Sequence, residues 1–451
     1  MKSITLKEVE KACGGKLIGD DRAISGVSTD SRTVGEGDLF FAIKGERFDG
    51  HNFIGSLPEK EAAAFVSQVE VKSELPYVLV DDTLKALGDL AAYYRGLFHI
   101  PVVGITGSVG KTTTKDMIAS VLSAKFNTVK TDKNFNNHIG LPMTVFKTEE
   151  TTEALVLEMG MNHFGEISYL GKIAKPDIAV ITNSGVSHIE YLGSREGILK
   201  AKCEIFESLK PGGKKVLNGD CDMLSTLREA HPDALFYGFD HEKDAVFAED
   251  IEYLSLEKTK FTAVIEGEKI PVELKTSGRH MVLNALAAMT CGKLLGLSAQ
   301  EIKQGIESFV SPDKRMNIIH TEKYTLIDDT YNANPQSVKA GISAIAPLEG
   351  RKAVILGEML ELGEGSPDYH REVGEYAAKE GIDTVVGIGN ENVLKLTLGA
   401  SFGGAKKVFY YETKEEFYNN FKKILKRNDT VLIKASRGAR FEEITERLKK
   451  M

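Results

Sequence analysis

Cysteine is scarce in this sequence, and Cys13, Cys203, Cys221 and Cys291 stand far apart. No pair has CxxC spacing and no group has zinc-site spacing, so neither a disulfide framework nor a zinc-bound fold is expected. Scattered reduced thiols of this kind point to a cytoplasmic protein. Long apolar runs are missing too: nowhere do the roughly 18 apolar residues of a membrane-spanning helix occur together. The first residues, MKSITLKEVEKACGG, look helical and lack the apolar stretch of a signal peptide. Positive charge is not in excess either. The net charge of −8 argues against a general nucleic-acid or membrane-surface binder and confines any anionic ligand to a local site. Internal repeats and low-complexity linkers are absent.

What is present is an ordinary globular composition, with 42% hydrophobic and 27% charged residues in a chain of 451. That length exceeds one core. The first hundred residues mix short strands and helices and end in a helix-like run from Thr83 to Phe98. Apolar β-branched runs then alternate with helical segments: PVVGIT (Pro101–Thr106), ALVLEM (Ala154–Met159) and DIAVIT (Asp177–Thr182). Such alternation implies a parallel sheet covered on both faces. Short alternating strands between Asp244 and Leu274 read as a hairpin appendage, and a helix over His280–Leu295 closes this part. After Pro312 the alternation restarts through YTLID, KAVILG, TVVGIG, KVFYY and TVLIKA, a second doubly wound unit. The expected fold is therefore α/β in three domains, residues 1–98, 99–312 and 313–451.

The sharpest local signal is GITGSVGKTTTK, residues 104–115, between a buried strand and a helix. Glycines there let backbone N–H groups turn inward and crowd an anion with no Cβ in the way. Gly107, Ser108, Val109, Gly110, Lys111, Thr112 and Thr113 are the candidate phosphate-binding residues. Lys111 would reach the β- and γ-phosphates and the Thr112 hydroxyl would take Mg²⁺. The spacing departs from the common P-loop, since Ile105 stands where the first glycine usually does. A guanine-recognition NKxD motif is absent, which lowers a GTPase reading.

Glu158 ends its strand at the carboxyl end, where open α/β sheets bind ligands, and acidic residues there commonly share Mg²⁺ with a P-loop threonine. The bland reading is a solvated carboxylate. His188, in TNSGVSHIEYLGS, follows the next strand. A lone loop histidine is more often a surface residue than a ligand, and this one gains weight from its neighbours. Lys202, in LKAKCEIF, lies on a predicted amphipathic helix and by itself reads as a solvated lysine.

Together TGSVGKTTTK, the Glu158 strand, His188 and AKCEIF resemble the Mur ligase family. DTYNANPQS (Asp329–Ser337), LGEMLELGEGS (Leu356–Ser366) with His370, and IKASRG (Ile433–Gly438) resemble its branch that adds D-alanyl-D-alanine. STDSRTVGEGDLFFAIKGERFDGHNFI (Ser28–Ile54) resembles the uridine-nucleotide domain of that branch and of the third-residue-adding enzymes. The resemblance implies a UDP-substrate domain, a central ATPase domain and a Rossmann-like domain for the incoming amine. It implies ATP and two Mg²⁺ ions, held by Thr112, Glu158, His188 and a carbamylated Lys202, with Lys111, Lys202, His188 and Glu158 catalytic. It places Asn284 near adenine, has Arg315 and Asp329 reach the nucleotide from the third domain, and puts Tyr331 and Asn332 in the same loop. Ser31 and Arg32 are candidates for the uridine-diphosphate end, although a capped turn is the plain reading of DSR. The implied partners are UDP-MurNAc-tripeptide and D-Ala-D-Ala, with no nucleic acid, no membrane span and a monomer. A sister ligase that adds the third amino acid carries a DNPR-like motif, which is missing here. A folylpolyglutamate synthetase of the same superfamily is a further rival. A nucleotide-dependent switch that keeps the phosphate loop but makes no bond is a rival from outside the enzymes.

Overall fold

The computed structural model describes residues 1–45, 48–311 and 313–450. The expected boundary at Pro312 lies outside them. The chain folds as two compact units, each discontinuous in sequence. One comprises Met1–Thr106, Lys125–Val180 and Cys203–Lys215; the other comprises Gly107–Ala124, Ile181–Lys202 and Val216–Met451.

In the first unit, a five-stranded sheet runs in the order Lys16–Ile18, Tyr77–Leu79, Ala64–Ser67, Asp38–Phe41, Gly26–Ser28. Only its first pair is antiparallel. Helix Thr83–Gly96 starts where the Asp82 carboxylate accepts the N–H groups of Leu84 and Lys85, two donors that helix geometry leaves without partners. It packs on helices Gly140–Val145 and Glu166–Ala174. Gly88 permits that approach, because a Cβ there would collide with the Tyr169 hydroxyl. Strands Val102–Thr106, Ala154–Glu158 and Thr128–Lys130 pair in parallel. Every residue of the first two is buried, as continuous apolar runs require of a sheet covered on both faces.

The second unit carries helix Lys111–Leu122, packed on helices Arg279–Leu294 and Ala299–Ser308. The expected appendage does extend the sheet, beside strand Leu235–Gly238, but as a three-stranded antiparallel meander, Val246–Ser255, Lys258–Ile265 and Glu268–Leu274, rather than a single hairpin. The strands are longer than the short ones anticipated, because turns fall only at 256–257 and 266–267. A six-stranded sheet follows, ordered Asn317–His320, Tyr324–Asp328, Asp429–Lys434, Lys352–Leu356, Thr384–Ile388, Val408–Tyr411. It is parallel except at the Asn317–His320 edge. Alternate residues of one strand serve opposite faces: Val354 and Leu356 pack under helices Pro335–Ile345, Ser366–Lys379 and Glu391–Phe402, whereas Ala353 and Ile355 pack under Lys414–Ile424 and Glu442–Lys449. This is the doubly wound arrangement expected after residue 312.

Arg351 ties the floor of this sheet together. It donates to Asp429 at 2.9 Å, to the Thr384 hydroxyl at 2.5 Å and to the Ile424 carbonyl at 2.9 Å. Asp429 is 1% exposed, so removing the guanidinium strands a buried carboxylate. Arg351→Ala should cost about 2–4 kcal/mol of stability, seen as a lower denaturant midpoint. Arg371→Ala, which removes only exposed ion pairs, should cost less than about 1 kcal/mol.

Candidate active site

The phosphate loop leaves strand Val102–Thr106 at Gly107 and enters its helix at Lys111. Gly107 has φ 155° and Gly110 φ 83°. A Cβ on Gly107 would collide with the Thr182 hydroxyl, and one on Gly110 would lie 3.0 Å from the Asn284 side-chain oxygen. Both glycines are therefore required by conformation and by space.

Asn183 braces the loop from the side. Its side-chain oxygen accepts the Ser108 N–H at 3.1 Å and the Val109 N–H at 2.8 Å, while its amide nitrogen donates to the Val109 carbonyl at 2.9 Å. The Thr182 hydroxyl donates to the same carbonyl at 2.6 Å, and Gly185 N–H donates to the Ser108 hydroxyl. With Ser108 and Val109 engaged internally, the N–H groups left for an anion are those opening helix Lys111–Leu122, which lack intrahelical partners. Lys111 Nζ donates to the Gly107 carbonyl at 2.7 Å. Thr112 and Thr113 are each 8% exposed. Asn284, expected near adenine, stands against Gly110 at the mouth of this helix.

In the first unit, Glu158 is 2% exposed, which removes the solvated-carboxylate reading. One carboxylate oxygen accepts from Asn136 Nδ2 at 2.8 Å, and the backbone N–H donates to the Thr131 hydroxyl. The other oxygen is buried and has no hydrogen-bond partner among the described residues. An ionised oxygen left in that state is costly unless a cation meets it, and a carboxylate oxygen is the ligand a hard divalent ion takes. Magnesium fits Glu158 on that ground. Among the described residues no three His, Cys, Asp or Glu side chains group to hold a metal, so a site here needs other donors, such as a hydroxyl or a modified lysine.

In the second unit, His188 adopts φ 65° before the short helix Ile189–Leu192. Its Nδ1 lies 2.7 Å from Glu361 Oε2. His188 beside it holds the Glu361 carboxyl below the usual range. Lys202 is 1% exposed; the solvated lysine expected from the helix pattern is corrected, because its face of helix Arg195–Cys203 turns inward.

On the six-stranded sheet, Lys434 reaches across to Asp329 Oδ2 at 2.5 Å and to the Asn332 carbonyl at 2.9 Å. Arg315 lies over the Tyr331 ring at 4.0 Å and Arg437 approaches the same ring at 5.3 Å. The structure thus brings Arg315, Asp329, Tyr331 and Asn332 together on one loop system. His370 is fully buried: its Nε2 accepts the Met359 N–H at 3.0 Å and its Nδ1 faces the Ser366 carbonyl at 2.7 Å. Burial lowers its pKa, so it is a neutral pin for the loop bearing Glu361. That loop borders a cavity of about 860 Å³ whose lining includes Glu190, Glu358, Glu361, Glu364, Tyr369 and Asn392. At the other end of the chain, Arg32 is ion-paired to Asp30 at 2.6 Å and Thr33 N–H donates to the Asp30 carbonyl. Ser31 and Arg32 therefore occupy the capped turn that the DSR segment reads as.

Three profiles of one family match consecutive parts of the chain: the Mur ligase family catalytic domain over residues 23–95, the Mur ligase middle domain over 105–292, and the Mur ligase glutamate ligase domain over 314–437. The UDP-N-acetylmuramoyl-tripeptide–D-alanyl-D-alanine ligase of Bacillus subtilis is 38% identical, with 98% of each chain covered. That of Escherichia coli K12 is 33% identical over 99% of each. Among solved structures, MurF from Acinetobacter baumannii superposes with a TM-score of 0.93 at 32% identity, covering all of both chains. The MurF ligase of Thermotoga maritima in complex with ADP gives 0.84 at 32% identity over 94% of this chain and 97% of that one. This chain belongs to the Mur ligase family. It has the family's three-domain α/β architecture and is a ligase.

Sequence reading singles out neither Asn183, Glu361 and Lys434 in the second unit nor Asn136 beside Glu158 in the first. Asn183 carries one usable signal, since it lies two residues beyond a buried strand at its carboxyl end.

Gly107→Ala should weaken ADP binding at least tenfold, or about 1.4 kcal/mol, in calorimetric titration; unchanged affinity would remove the loop from nucleotide binding. A second expectation concerns His280, which opens helix Arg279–Leu294. Burial pushes its imidazole from 6.5 down to about 4, so between those values the unfolded chain binds the extra proton. This contribution to stability is complete above about pH 6.5 and is lost as pH falls toward 4. His280→Gln should flatten that slope in denaturant melts at about pH 4.5 and pH 7.

Proposed function

We propose that this ligase joins D-alanyl-D-alanine to UDP-N-acetylmuramoyl-tripeptide with ATP, giving the pentapeptide, ADP and phosphate in peptidoglycan precursor synthesis. The observation that carries the reading is the 38% identity to the Bacillus subtilis enzyme across 98% of both chains. A diaminopimelate ligase and a folylpolyglutamate synthase share only the fold, at 17% and 16% identity.

The tripeptide's terminal carboxylate attacks the γ-phosphorus of ATP, the bond to the β-phosphate oxygen breaks, and ADP leaves an acyl phosphate behind. The amine of the dipeptide then attacks the acyl carbon, gives up a proton, and expels phosphate. A carboxylate and a triphosphate repel one another, so charge neutralisation carries the first step. Lys111 and the N–H groups opening helix Lys111–Leu122 bind the phosphates in this reading. Magnesium, when bound, supplies further positive charge to the phosphate oxygens. Its proposed ligands are the free oxygen of Glu158, the Thr112 hydroxyl, His188 and a carbamylated Lys202. The burial of Lys202 supports that last role, because carbamylation replaces a buried ammonium with anionic oxygens suited to a hard cation. Asn284, Arg315 and Asp329 serve the nucleotide, with Tyr331 and Asn332 beside them, and Ser31 and Arg32 serve the uridine diphosphate. The cavity edged by Glu190, Glu358, Glu361 and Glu364 suits the ammonium of the dipeptide. The domain cuts of this reading lie near residues 98 and 312. A cytoplasmic monomer suits a reaction that draws on ATP.

Phosphate release should require ATP, Mg²⁺, the nucleotide-linked tripeptide and D-Ala-D-Ala together, with the pentapeptide's mass in the product. Turnover with a single amino acid in place of the dipeptide would move the chain to a sister ligase. Release without any amine would leave a nucleotide hydrolase. Lys111→Ala should lower turnover by at least about a hundredfold. Lys202→Ala should lose most activity and regain part of it with added short carboxylates; full activity without them would end the carbamate role.

A further inference from the structure

The segment Asn183–His188 touches two things that the chemistry needs to coordinate. At one end the Asn183 side chain holds the phosphate loop through three hydrogen bonds, its carbonyl also accepts the Ser108 N–H at 3.1 Å, and Gly185 N–H donates to the Ser108 hydroxyl at 2.9 Å. At the other end the segment is gripped by loops of the C-terminal family segment. Asn334 Nδ2 donates to the Ser187 hydroxyl at 2.7 Å. Gln336 lies so close to Gly185 that any Cβ there would collide with its side chain. Val186 is 9% exposed and shares an apolar cluster with Ala333, Met359 and Leu362. Glu361 stands 2.7 Å from His188. The gripping loops are themselves pinned: Lys434 holds the Asp329–Asn332 turn, His370 takes the Met359 N–H, and the Ser436 hydroxyl takes the Leu360 N–H.

Six residues thus connect the phosphate loop to the loops bordering the acidic cavity, with contacts at both ends. Packed elements that are hydrogen-bonded at both ends transmit displacement rather than absorb it. We propose that Asn183–His188 is a strut, that Asn183 is a positioning residue for the phosphate loop, and that Glu361 positions the same loop from the C-terminal segment by fixing the far end of the strut. The nucleotide pocket would then be in register only while the amine-side loops are seated. This deepens the ligase reading and rests on it for the meaning of the coupling, but the physical link is measurable without turnover.

The test is calorimetric titration of the full-length protein with ADP, with magnesium and separately in EDTA, for wild type, Asn183→Ala, Glu361→Ala and the double variant. Asn183→Ala should weaken ADP about tenfold, and Glu361→Ala by about threefold to fivefold, in both buffers. The double variant should lose less than the sum of the two single losses, because a strut weakened at one end transmits less from the other. Glu361→Gln, which keeps the shape of the side chain, should recover part of the Glu361→Ala loss. In steady state, Asn183→Ala should raise KM for ATP and leave KM for the dipeptide unchanged. Losses that simply add, or a Glu361→Ala effect present only with magnesium, would overturn the strut; the second result would make Glu361 a partner of His188 alone. Should wild type bind ADP yet fail to ligate, the functional reading would fall while the coupling could still be scored.

Discussion

Gly107 turns out of its strand into space bounded by the Thr182 hydroxyl, and Asn183 then ties off the N–H groups of Ser108 and Val109. The rest of the site depends on that close approach. A phosphate loop works by presenting fixed N–H dipoles to an anion, and fixed dipoles need no reorganisation when charge arrives. Here the rigidity comes from a neighbouring strand end rather than from the loop's own glycines. The glycines permit the shape, and the amide of Asn183 selects it.

Charge is the second organising constraint. Lys202, Glu158 and Lys434 are each 3% exposed or less. Burying an ion costs several kcal/mol unless another charge or a set of hydrogen bonds answers it. Lys434 is answered on the spot by Asp329 and the Asn332 carbonyl, so it works as structure and shapes the Asp329–Asn332 loop. Glu158 is answered on one oxygen only. That difference separates a charge fully met by its neighbours from a carboxylate with one oxygen left open. His370 marks the opposite extreme, a histidine in helix Ser366–Lys379 whose two nitrogens are both committed to backbone.

Much of the fold is legible because apolar periodicity is a local property. The strand over PVVGIT, its glycine turn and the following helix lie within about a residue of where the pattern puts them. The doubly wound alternation beyond residue 312 is equally plain. The meander at 246–274 exceeds the short hairpin that its pattern suggests, since strand length depends on partners as well as on local sequence. Lys202 defeats the pattern for a related reason: helical periodicity tells which residues share a face, not what covers that face. The grouping of the chain into two interleaved compact units is not visible at all, because such grouping is decided by contacts distant in sequence.

By itself the sequence determined the element order, the phosphate loop with its lysine and threonines, and the motifs that resemble one ligase family. These are short-range patterns, and backbone sterics and side-chain chemistry act on them directly. Tertiary structure alone decided which carboxylate oxygen stays unanswered, that Asn183 hydrogen-bonds the glycine loop, and that Glu361 faces His188 across 173 positions of sequence. Those outcomes depend on which loops and strand ends meet within each unit. Loop closure is entropically cheap in length but specific in geometry, so spacing along the chain carries no trace of it.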